Sequence, residues 1–198
     1  MAAAAATVRR HSLLVRITHW VTAISFGALV VSGIAILLAH PRLYWGEVGV
    51  VGMPALVDLP LPFVIAGQTG WGRSLHFLSA WILVVTGALY VLGGARRAHF
   101  RWPLYNPLQR RTYLVVVFGF LPLTIWTGLA MSPSITSVVP AIVQVLGGHQ
   151  SARTIHFAVA VALACFVIGH VVMVAMAGFR AQVGAMITGD MRASKEIA

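Results

Sequence analysis

Acidic side chains are nearly absent from this chain. Of 198 residues only Glu47, Asp58, Asp190 and Glu196 are acidic, and none lies inside a long apolar run. Charged residues of either sign make up 9% of the sequence, whereas a soluble domain carries about a quarter. That shortage excludes an ordinary soluble domain. The lack of carboxylates in the apolar runs also counts against an ion- or proton-coupled transporter, which needs acids at membrane depth. Cysteine is equally scarce: Cys165 is the one thiol, so an internal disulfide is excluded, and its place in an apolar run reads as a small buried side chain. The short alternating segments of a membrane barrel are missing too.

What is present is apolar: 59% of residues are hydrophobic and the mean hydropathy is +0.89. Four apolar runs, at approximately 13–39, 74–94, 112–131 and 153–179, each reach the ~20 residues that cross a bilayer core. Inside lipid the backbone must satisfy its own hydrogen bonds, so these runs are helices. The sequence therefore predicts a single all-α domain over residues 1–198, an integral membrane four-helix bundle. The first run follows Arg9 and Arg10, as a signal peptide would. It is too long for an h-region, lacks a clear small-residue cleavage site and carries Arg16 and His19, so it reads as a retained helix.

The formal net charge of +10 invites a nucleic-acid reading, but its distribution speaks for topology. Eleven of the basic residues fall in residues 1–16, the connection 95–112 and the tail from Arg180 onward, against three (Arg42, Arg73 and Arg153) in the other two connections. The positive-inside rule puts the N- and C-termini in the cytoplasm. The charge then meets anionic lipid heads of the bilayer, and no nucleic acid is expected.

The connection 40–73 is rich in Gly and Pro, with Tyr44, Trp45 and Trp71 placed as interfacial anchors. Its apolar character suits either a partner's docking surface or packing over the bundle mouth. The connection 132–151 is also apolar and predicts a short helix lying on the membrane. The basic connection 95–112 carries a turn signal at Asn106–Pro107.

Three arginines precede a histidine by three residues at the mouth of a span: Arg16 and His19, Arg73 and His76, Arg153 and His156. His170 lies deep in the last span, fourteen residues after His156. With the N-terminus inside, His19 lies near the inner surface, and His76 and His156 near the outer one. A separation of fourteen residues places His170 about 21 Å deeper than His156 and within about 40° of it around the helix axis. Depth alone therefore pairs His76 with His156 and His19 with His170. Two neutral imidazoles make a six-coordinate haem iron suited to electron transfer, so four histidines at two depths predict two haems. Each arginine lies on its histidine's face one turn nearer water, where propionates would emerge and where a forked guanidinium suits a carboxylate. His170 has Val167 at that spacing, leaving its haem to Arg16 and Arg180. Gly27, Gly33, Gly87 and Gly169 offer room for flat macrocycles or close helix packing. His11, His40, His99 and His149 read as interfacial. A haem-free polar network, anchor or transporter is the competing class.

At these residues the chain resembles the prokaryotic cytochrome b561 superfamily. It is most similar there to the dihaem cytochrome b subunits of nickel–iron hydrogenase, formate dehydrogenase and thiosulfate reductase complexes. The resemblance rests on RITHW (16–20), GRSLHF (72–77), YNPLQRRTYL (105–114) and SARTIHFAVAVALACFVIGHVVMV (151–174). It implies two haem b groups, with His76 and His156 on the outer iron, His19 and His170 on the inner iron, and Arg16, Arg73 and Arg153 at the cofactor. It further implies an electron-transfer subunit of the bacterial inner membrane, working between a periplasmic redox protein (a molybdenum oxidoreductase or hydrogenase) and ubiquinone or menaquinone as exchangeable substrate. A homodimer is left open. The same superfamily contains a stand-alone superoxide:ubiquinone oxidoreductase, which would need a positively charged outer funnel. The near-neutral outer loops here rank that alternative second.

Overall fold

The computed structural model describes residues 7–9, 11–59, 69–96 and 107–192. Residues 97–106, which hold His99 and most of the basic connection with Asn106, lie outside the described residues, as do 60–68 and 193–198. Among the described residues four helices are long and apolar enough to cross a membrane: Leu13–Ala39, Gly70–Gly93, Arg111–Ala130 and His149–Met176. The fold is the all-α membrane four-helix bundle that the apolar runs predict.

The first helix, α1 (Leu13–Ala39), begins where Ser12 accepts a hydrogen bond from the Val15 N–H and has the predicted bounds. The second, α2 (Thr69–Arg96), starts earlier than 74 because Thr69–Arg73 continue the helix through the glycines. The third span is composite: α3 (Pro107–Val115), a π-helical turn over Val116–Phe120, and α4 (Leu121–Ala130). Pro122 has no N–H to give to the carbonyl four residues back, so the preceding turn widens and the Leu121 N–H bonds Val116 instead.

The outer connection 132–151 forms two single turns, α5 (Pro133–Thr136) and α6 (Ala141–Gln144), rather than one surface helix. Pro140 lies between them. The fourth span, α7 (His149–Met176), stops short of the predicted 179, because Gly178 takes a left-handed conformation at φ +96°. A further helix, α8 (Phe179–Thr188), follows it. Two short antiparallel pairs complete the fold: β1 (Thr7–Arg9) with β4 (Asp190–Arg192), and β2 (Arg42–Leu43) with β3 (Val57–Asp58). The first pair brings residues near both ends of the chain to one side of the bundle.

Packing is inverted relative to a soluble protein. The buried positions are mostly small or hydroxylated (Thr18, Ser25, Ser32, Ser79, Thr86, Thr127, Ser151, Thr154, Ala130 and Ala152), while Ile24, Trp81, Phe118 and Ile168 face outward. Lipid removes the penalty on the outer apolar side chains, and small inner ones let backbones close up. Buried hydroxyls satisfy themselves on the carbonyl one turn back, as Thr18 does on Leu14 at 2.8 Å and Thr127 on Leu123 at 2.8 Å. Close backbone packing runs mainly within two helix pairs, α1 with α2 and α4 with α7. Between the pairs, histidine side chains meet. Cys165, expected to be buried, instead lies exposed on the lipid side of α7.

Candidate haem site

The structure brings the four predicted histidines together as two pairs. His76 on α2 faces His156 on α7, with ring centres 6.1 Å apart; His19 on α1 faces His170 on α7, with ring centres 6.4 Å apart. In both pairs the ring planes are inclined at 59°. A metal–imidazole bond is about 2 Å and the ring centre lies about 1 Å beyond the nitrogen, so two axial imidazoles on one iron have centres about 6 Å apart. Both pairs fit that span. Among the described residues no group of three or more His, Cys, Asp or Glu side chains gathers. The pairs thus suit an iron whose remaining ligands come from a porphyrin, and not a metal held by protein alone.

The outer pair is tied into the helices around it. Ser32 Oγ on α1 lies 3.0 Å from His76 Nδ1, and Thr127 Oγ1 on α4 lies 2.9 Å from His156 Nδ1. A Cβ added at Gly33 would stand 3.7 Å from His76 Cε1, and one added at Gly128 would stand 3.6 Å from His156 Cε1. Sequence reading singled out Gly33 but missed Ser32, Thr127 and Gly128. The signal it passed over is a short likeness, Ser32-Gly33-Ile34-Ala35 and Thr127-Gly128-Leu129-Ala130. Gly27, Gly87 and Gly169 meet no neighbour within 4 Å at the Cβ position, so they are not points of close helix approach. The inner pair has an aromatic setting: His19 meets the edge of Trp20 at 5.4 Å, and His170 stacks on Phe166 at 6.3 Å.

The arginines lie at the two mouths. Arg153 is half-buried and donates to the His40 carbonyl; Arg16 donates to the Ile187 carbonyl at the end of α8. Arg16 Nε is buried and has no hydrogen-bond partner among the described residues. A buried cationic donor with nothing to bind suits an anionic ligand such as a propionate. Arg73 is exposed at the start of α2. Arg73 and Arg153 act on His40 through their charge: burial first, then Arg153 and Arg73, hold its imidazole below the ordinary 6.5. Arg180 is exposed on α8. Sequence reading did not foresee α8, which roofs the inner mouth through Arg16 and through Trp20 Nε1 donating to Met186 at 3.3 Å.

The outer loop closes over the start of α7. The Gly46 carbonyl accepts from the Gln150 and Ser151 N–H groups at 3.0 and 3.2 Å, and the Gly46 N–H donates to Ser151 Oγ at 2.7 Å. Thr154 Oγ1 donates to the Tyr44 carbonyl at 2.6 Å, and the His149 N–H donates to Glu47 at 3.2 Å. The loop thus caps the helix that carries His156, and its one acid here lies at the positive helix end. Of the two roles open to this connection, residues 44–47 take the packing one. His149, read as interfacial, stands 3.6 Å from Glu47.

Four apolar spans, imidazole pairs at two depths and cationic donors at the mouths define a multi-pass membrane protein that binds b-type haem and transfers electrons. The chain matches the family model described as prokaryotic cytochrome b561 over residues 10–189, and it belongs to that family. It is also 28% identical over 193 residues to the "putative protein-methionine-sulfoxide reductase subunit YedZ1" of Azospira oryzae, covering 84% of this chain and 90% of that protein. No solved structure matches the chain.

Proposed function

We propose that this chain carries electrons across the bacterial inner membrane through two b-type haems, between a periplasmic redox protein and the quinone pool. The observation that carries this reading is the pair of ring-centre separations, 6.1 and 6.4 Å, at two depths of one helix. His76 and His156 hold the outer iron, and His19 and His170 the inner one. When bound, the two haems supply one-electron carriers that divide the bilayer into short hops. The protein's own part is to fix the depth of each site, exclude water and balance charge. Fourteen residues of α7 separate the ligands it supplies, about 21 Å of helix rise.

Arg73 and Arg153 at the outer mouth and Arg16 at the inner one neutralise the propionates. A guanidinium has five donors, so a bond to the His40 or Ile187 carbonyl leaves others for a carboxylate. The relative's printed description, a protein-methionine-sulfoxide reductase subunit, supports one partner class in particular, a reductase of oxidised methionine. In that case electrons run outward from quinol to the partner. A pyridine haemochrome assay on the purified chain tests the cofactor count. Two haem b per chain is the expected result, and one or none contradicts the reading. Rapid oxidation of the reduced protein by the purified reductase, with no reduction of the oxidised haems by a superoxide-generating mixture, supports the partner.

A further inference from the structure

We infer that Ser32 and Thr127 are matched positioning residues that hold His76 and His156 with Nε2 bare and Nδ1 protonated, and thereby lower the potential of the outer haem. The inference rests on the reading that these two histidines ligate one iron. Hydrogen accounting carries it. A hydroxyl has one hydrogen. That of Ser32 goes to the Ala28 carbonyl at 2.7 Å, with Leu29 at 3.2 Å, and that of Thr127 goes to the Leu123 carbonyl at 2.8 Å, with Thr124 at 3.1 Å. Each oxygen can therefore only accept from the ring beside it, at 3.0 Å for His76 and 2.9 Å for His156. The Nδ1 atoms carry the hydrogens, and the Nε2 lone pairs are left for a metal.

The same device occurs on two helices, α1 and α4, around two rings that face each other. In both copies a glycine follows the hydroxyl residue and borders the ring's Cε1. An alanine three positions after the hydroxyl residue, Ala35 or Ala130, is buried. Ser32 and Thr127 are each 0% exposed, so water does not compete for the bond. A ring N–H donated to an oxygen whose own hydrogen is polarised toward a helix carbonyl strengthens the chain of bonds and raises ligand basicity. A more basic imidazole favours the ferric state, which lowers the potential. Among the described residues neither inner ring has a hydroxyl partner of this kind, so the outer site alone receives this contribution.

Redox titration of the purified, haem-loaded chain, followed by optical spectra and by the low-spin ferric paramagnetic resonance signal, tests the inference on Thr127→Val and Ser32→Ala. The expected result is an upward shift in one of two midpoint potentials, a changed resonance signature for that haem, and an unaltered second haem. Thr127→Ser and Ser32→Thr should restore the wild-type values. Loss of the outer haem in Thr127→Val with recovery in Thr127→Ser also supports the role. Unchanged potentials and resonance in both variants at full haem content would overturn it, as would haem loss that the conservative variants do not recover. If His76→Ala and His156→Ala keep both haems, the ligand assignment itself fails and the inference falls with it. That outcome is distinguishable from silent hydroxyl variants on an intact dihaem protein.

Discussion

Single side chains set the terms at each mouth of the bundle. His40 stands at the outer end of α1 among cations, and burial, Arg153 and Arg73 all disfavour its protonated form. Its imidazole should titrate below 6.5, and carbon-13 spectra of histidine-labelled protein in detergent can follow it. Because the unfolded chain takes up that proton more readily, the contribution works against folding as pH falls through 6.5 and vanishes above it. Replacing Arg153 with Gln should move the titration upward but leave it below 6.5, since burial is the larger cause. At the inner mouth, the orphaned Nε of Arg16 carries a second prediction. Arg16→Gln should weaken retention of one haem by roughly tenfold or more, matching loss of a charge-assisted bond of about 1.5–3 kcal/mol. Haem transfer to apomyoglobin measures this, and unchanged transfer would remove Arg16 from the site. The pairing of the four histidines was legible in the sequence because charge asymmetry gave their depth and helical spacing gave their face. Ser32 and Thr127 were not, because a hydroxyl in a membrane helix normally spends its hydrogen on its own backbone, and only the neighbouring helix shows what its oxygen does.

The outer loop crowns the start of α7 at close quarters. Gly148 has φ +111°, and a Cβ there would come within 2.6 Å of the Gly46 carbonyl group. Gly148→Ala should therefore cost about 2 kcal/mol or more from backbone strain alone, with the contact added, and should appear as a lowered unfolding temperature in detergent. Ser151, fully buried, holds the Gly46 N–H at 2.7 Å and donates to the Gly147 carbonyl at 3.2 Å. Ser151→Ala should cost about 1–3 kcal/mol, because the half-buried Gly46 N–H loses its acceptor. The bounds of α1 were readable from Ser12 and the apolar run that follows it. The end of α7 was not, since hydrophobicity continues past Met176 and only the left-handed Gly178 breaks the helix. Helix α8 escaped notice for the same reason: ten residues beyond a span carry too weak a pattern without the inner mouth to pack on.

As a whole the molecule is two closely packed helix pairs joined by imidazoles, with apolar side chains turned toward lipid. Pairing of Thr7–Arg9 with Asp190–Arg192 requires the two ends of the chain to share one side of the membrane, the side on which the positive-inside rule expects the basic excess. Cys165 tests the outward face of α7: being exposed in mid-span, it should react in intact vesicles with an apolar, lipid-soluble maleimide and resist a charged one. Equal reaction with both would place water, not lipid, beside it. The central claim is that the histidines work as two separate pairs, and haem content in paired alanine variants addresses it most directly. The account predicts that His76→Ala with His156→Ala keeps one haem per chain, that His19→Ala with His170→Ala keeps the other, and that each double variant loses no more than its single members. A crossed result, in which His76→Ala with His156→Ala removes both haems or neither, would contradict it.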